Sequence, residues 1–116
     1  MSLVKADTLV VVWSSRDRDV ALNTVFMYTK NSKLKGWWNN VKLVVWGPSA
    51  KLVSVDQELQ AELAELKKAG VELLACKACA DRYGVSKRLE ELGIEVIYMG
   101  EPLTGYLKDG YAVLTF

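Results

Sequence analysis

Short apolar runs alternate with amphipathic stretches along the chain, and this alternation limits the fold more than any other feature. Thr8-Leu9-Val10-Val11-Val12-Trp13 and Val41-Lys42-Leu43-Val44-Val45-Trp46 are Val-rich runs of strand length. Val71-Glu72-Leu73-Leu74-Ala75, Ile94-Glu95-Val96-Ile97-Tyr98 and residues 111–116 read as three more strands. Helical patterns fall between them: Asp19 to about Lys33, a stretch opening near Gln57, Lys77 to about Leu92 with an interruption near Gly84, and a short segment from Pro102 through Leu107. Strict alternation implies parallel pairing with helices on both faces. Strands apolar on both sides suit a sheet covered on both sides. The expectation is one α/β domain over residues 1–116, three-layered and flavodoxin-like, with a five-stranded, mainly parallel sheet.

Punctuation residues support these boundaries. Asp17 or Ser15 can cap the first helix. Gly47-Pro48 stops the second strand. Ser54-Val55-Asp56-Gln57 fits a capping box ahead of Leu59, Leu63 and Leu66 at helical spacing. Gly70 follows Lys67-Lys68 as a helix-ending glycine behind dipole-matched cations. With a strand order of 2-1-3-4-5, the sheet reverses between its first and third strands, and sites form at the carboxyl edge there. The loops at that point would be residues 14–17 and 76–79.

Composition removes several function classes. Fifteen basic side chains face fourteen acidic ones, so charge gives no reason to expect a nucleic-acid or membrane partner. The first apolar run is far too short to span a bilayer. No secretion signal is read at the start of the sequence. Two cysteines without such a signal suggest free thiols in a reducing cytoplasm. Histidine is absent, so chemistry here must work without an imidazole. A lone Cys-x-x-Cys supplies two of the four ligands zinc wants, and nothing resembles a glycine-rich phosphate loop. No metal and no cofactor are expected.

The candidate chemistry centres on Cys76, which ends an apolar strand and begins Cys76-Lys77-Ala78-Cys79-Ala80-Asp81-Arg82-Tyr83-Gly84. A thiol at that junction lies near the positive end of a helix dipole, which favours thiolate, with Lys77 adding positive potential. The alternative is a small buried hydrophobe. Cys79, three residues on, is a helical neighbour and a candidate second thiol, or it packs inward beneath the helix. The turn Ser14-Ser15-Arg16-Asp17 either cradles an anion or caps a helix with Arg16 in solvent. Trp13 and Trp46 each end a strand and could wall a site at one sheet edge, or at least one of them packs in the core. Trp37-Trp38 is expected to be buried or at a subunit contact. The first helix carries Val20, Ala21, Leu22, Val25, Phe26, Met27 and Tyr28, more than one stripe, which suggests oligomerisation.

The Cys76 to Gly84 segment, after its apolar strand, resembles the signature region of the DsrE/DsrF-like proteins. Length and order of elements are similar throughout. The resemblance implies a small α/β subunit assembling into trimers or hexamers. It also implies sulfur handling, with the cysteine at position 76 carrying sulfane sulfur as a persulfide between donor and acceptor proteins. Position 79 is cysteine only in some members, and Tyr83 stands before Gly84 where many relatives have arginine. A sulfur-carrier or sulfurtransferase-like protein is therefore the leading expectation. The rivals are a non-enzymatic module for a small anionic or nucleotide-like ligand and a structural subunit with inert cysteines.

Overall fold

The computed structural model describes residues 7–116; the expectations concerning residues 1–6 lie outside them. Five strands form one sheet: β1 (Thr8–Trp13), β2 (Asn40–Val45), β3 (Glu72–Cys76), β4 (Glu95–Ile97) and β5 (Ala112–Thr115). Every pairing is parallel. The helices are α1 (residues 18–34), α2 (Pro48–Val55), α3 (Gln57–Lys68), α4 (Lys77–Tyr83), α5 (Ser86–Glu91) and α6 (Gly100–Lys108). Helix α1 contains a π-helical stretch at Ala21–Val25 between α-helical ends.

The strand order is β4-β3-β2-β1-β5, which corrects the expected 2-1-3-4-5. The physical reason is handedness. Right-handed crossovers from β1 to β4 all step in one direction, so they lay α1 through α5 on one face. The last crossover runs back past β1, which puts α6 on the other face. The β1 and β3 ends are therefore on the same carboxyl edge with β2 between them, rather than side by side.

Strand side chains alternate between two clusters. Leu9, Val11, Trp13, Leu43, Val45, Leu73 and Ala75 meet Ala21, Val25, Phe26, Val53, Leu59, Leu63, Leu66 and Leu89 from the five-helix face. Val10, Val12, Val44, Leu74 and Cys76 meet Met99, with Leu103 and Tyr106 of α6 packed against them. Val25 and Phe26, expected in a subunit contact, are buried within the chain's own core. Met27 of α1 is exposed, as are Leu34 and Trp37. Trp37 tilts against Tyr28 at 6.0 Å between ring centroids, and Trp38 Nε1 donates to Tyr28 Oη at 3.4 Å.

Helix α2 is absent from the sequence reading. Gly47-Pro48 looks like a strand stop, yet Pro48 is the first helical residue, where its missing N–H costs nothing. Ser54 consequently sits inside α2, and Asp56 alone caps α3, accepting from the Leu59 N–H at 3.1 Å. Asp56 also accepts from Arg18 Nε at 2.8 Å, tying α3 to the start of α1. Arg18 and the Leu59 N–H hold this carboxyl below its ordinary value. Its contribution to stability is thus present above the unfolded carboxyl range and is lost as pH falls through the lowered value. Asp56→Ala should cost about 1 kcal/mol, the usual worth of a side-chain cap. Urea unfolding checks this, and the difference from wild type should shrink in acid.

Candidate functional site

Strand β3 delivers Cys76 to the carboxyl edge. Its backbone remains extended, with φ −71° and ψ 113°, and α4 begins at the next residue. The side chain points to the α6 face and is 5% exposed, among Val12, Leu74 and Met99. Cys79 packs against the same cluster and is more exposed than Cys76. Both thiols are free. One helical turn brings their side chains into interaction. Helix α4 divides its sides, because Ala80 goes to the opposite cluster.

Cys79 is held above its ordinary value. Burial is the main cause, and the interaction with Cys76 adds to it. The backbone N–H of Gly47 and the charge of Arg82 oppose the rise. Gly47 has φ 76° and ψ −139°, a left-handed conformation that glycine adopts without a Cβ penalty. That turn aims its N–H at Cys79 while α2 starts next door. Cys79 should therefore resist iodoacetamide until the solution is more alkaline than a free thiol requires. In Cys76→Ser the onset should move to lower pH, because the neighbouring thiol that raises Cys79 is gone. It should remain above that of a free thiol, since burial persists. The pH profile of labelling in that variant, against Cys79 in wild type, checks the shift.

The other expected site residues are distributed differently. Trp46 packs in the Cys76 cluster. Trp13 does not reach it: its side chain lies in the five-helix cluster, edge-on to Phe26 at 5.0 Å. Lys77 is engaged elsewhere, with its ammonium 2.7 Å from Asp81 and over the Tyr98 ring. The Ser14 and Ser15 N–H groups both donate to the Phe116 carbonyl, at 2.7 and 3.2 Å. The Asp17 N–H donates to Ser15 Oγ at 3.0 Å. These three backbone donors are thus committed within the chain. Asp17 caps α1 through the Asp19 and Val20 N–H groups, as one reading of the turn expected. Arg16 is exposed and in no ion pair among the described residues.

Sequence reasoning missed Gly47 as a donor to Cys79, and it missed Met99 and Ile97 as walls of the thiol cluster. A signal for Gly47 was present. Glycine directly before a proline, at the end of a buried strand, marks a turn that only glycine makes cheaply. Among the described residues no group of three or more Cys, Asp or Glu side chains could hold a metal ion. No helix there is long and apolar enough to cross a membrane.

The model of the DsrE/DsrF-like family matches residues 11–116. A conserved protein of unknown function from Bacteroides thetaiotaomicron is 38% identical, with a TM-score of 0.96 and 100% of both chains covered. A protein of unknown function from Methanobacterium thermoautotrophicum shares the fold at 18% identity and TM-score 0.78, covering 94% of this chain and 98% of its own. The ychN protein of E. coli does so at 17% identity and TM-score 0.70, covering 95% of this chain and 98% of its own. No curated protein matches the chain.

Proposed function

The chain belongs to the DsrE/DsrF-like family, and from that premise we propose that it carries sulfane sulfur as a persulfide on Cys76. The observation that carries this reading is the pair of free thiols at the carboxyl edge, packed in one cluster at the end of β3. In the loading step the Cys76 thiolate attacks the outer sulfur of a persulfide or polysulfide donor. The donor's S–S bond breaks and the donor leaves as a thiolate. In the unloading step an acceptor thiolate attacks the outer sulfur of the Cys76 persulfide, and Cys76 returns as a thiolate. Neither step has a net change in oxidation state, and neither needs an imidazole or a metal. The Cys79 S–H stabilises negative charge on Cys76 before loading and again at unloading. The enclosure of Cys76 by Met99, Val12 and Leu74 shields the bound sulfur from bulk thiols. Entry and exit are on the side of Cys79, the more exposed sulfur.

The same reading includes self-assembly in the cytoplasm into a homo-oligomer, a trimer or a multiple of it. Exposed Met27, Leu34 and Trp37 at one end, and Tyr98 and Leu107 on the α6 side, supply apolar surface for it.

Intact mass spectrometry tests the carrier reading. Incubated with inorganic polysulfide, the protein should gain the mass of one sulfur atom. It should lose that mass on addition of an acceptor thiol. A protein that gains none, or never yields what it gains, contradicts the reading.

A further inference from the structure

We propose that the cleft between the 14–17 turn, α2 and the end of α4 binds a small organic anion with an apolar or aromatic body. The cleft has a volume of about 430 Å³, within the range of small-ligand sites. Its wall is Arg16, Pro48, Lys51, Leu52, Val55 and Tyr83. The proposal does not depend on sulfur chemistry at Cys76.

Charge is the first argument. Neither Arg16 nor Lys51 is in an ion pair among the described residues. Most of the carboxylates nearest in sequence to the cleft elements are engaged elsewhere. Asp17 caps α1, Asp56 and Glu58 hold Arg18, and Asp81 holds Lys77 and Ser86. Two cations thus share one cleft, neither in an ion pair among the described residues. Shape is the second argument. Val55 is 77% exposed and Tyr83 38% exposed on the same cleft, beside Leu52 and Pro48. An exposed aromatic ring and aliphatic side chains between two cations match a ligand with an acidic head and a flat or aliphatic body. A bare inorganic anion would leave the apolar wall unused. The rest of the turn does not compete for the head group, because the N–H groups of Ser14, Ser15 and Asp17 are committed.

Location links the site to the thiol pair. Pro48 follows Gly47, whose N–H reaches the Cys79 sulfur, and Tyr83 lies one turn beyond Cys79 on α4. The cleft and the thiol pair thus share helix α4 and the Gly47-Pro48 turn.

Anilinonaphthalene sulfonate is a suitable probe, with uncharged phenylnaphthylamine as its counterpart. Fluorescence titration should show the anion binding more tightly than the neutral compound and weakening with added salt. Replacing both cations, Arg16→Gln with Lys51→Gln, should weaken the anion about tenfold, as expected for two exposed charge contacts. Neutral-probe affinity should hold. Both cations are exposed, so the variant is expected to fold, and amide NMR spectra should confirm this while placing the probe at residues 16, 49–55 and 83. Cys76→Ser should bind as wild type does, so a failed sulfur assay and a failed cleft are told apart. Equal affinity for the two probes, an unaffected double variant, or amide shifts confined to other surfaces would each overturn the proposal.

Discussion

Cys76→Ser should abolish sulfur loading, whereas Cys79→Ser should still load. The asymmetry follows from the roles that position assigns. Cys76 ends β3 with an extended backbone, and Cys79, one turn on, is its neighbour in the same cluster. A serine hydroxyl at position 76 cannot attack sulfane sulfur at neutral pH, so no residual loading is expected. Cys79 acts through Cys76. A hydroxyl at position 79 can donate a hydrogen bond in place of the thiol, although it is shorter and less polarizable. Loading in Cys79→Ser should therefore slow by a modest factor, because a neutral hydrogen bond is worth about 1 kcal/mol. Intact mass spectra after timed exposure to polysulfide separate the two. Loss of loading in both variants would make the thiols a joint unit, and retention in Cys76→Ser would move the chemistry to Cys79.

Trp13→Ala should be the most damaging single truncation considered for the fold, costing about 3–5 kcal/mol. Trp13 is fully buried at the carboxyl end of β1, edge-on to Phe26, so the cavity left by its loss is large. A domain of this size has only about 5–15 kcal/mol in hand. Trp13→Phe should be far milder. It keeps an aromatic ring against Phe26 and removes an indole N–H that meets no acceptor. Because Trp13 faces away from Cys76, the Phe variant should alkylate and load as wild type does. Urea midpoints measure the stability effect, and loading of the Phe variant checks that Trp13 has no part in the site.

The two tryptophans also show how far the sequence can be read. Trp13 and Trp46 both end strands, and a linear reading sends both to one edge. Alternation along a strand decides the face: Trp13 shares its face with Val11, while Trp46 falls with Val44 and Cys76. Strands β1 and β2 are apolar at nearly every position, so neither face carries a polar marker that would assign it. The same ambiguity hid the strand order. Each helix has an apolar side for whichever layer it joins, and only the handedness of successive crossovers puts α6 alone on its face. The strands themselves were legible within a residue or so, because Gly70, Gly93 and Asp17 punctuate them with specific turn and cap chemistry. Cys76 was legible as the junction of β3 and α4. Its burial was legible only as one of two alternatives, since Met99 and Ile97, which enclose it, come from beyond α5. Lys77 looked like support for a thiolate, yet Asp81 one turn along pairs with it.

Trypsin separates the two cysteines of the unaltered protein, and this gives the most direct measurement. Cleavage after Lys68, Lys77 and Arg82 leaves Cys76 on the peptide of residues 69–77 and Cys79 on that of residues 78–82. The folded protein is loaded with polysulfide and trapped with iodoacetamide, then unfolded, fully alkylated and digested. The account predicts one additional sulfur atom on the 69–77 peptide and an ordinary alkylated cysteine on the 78–82 peptide. Additional sulfur on residues 78–82, or on neither peptide, contradicts it.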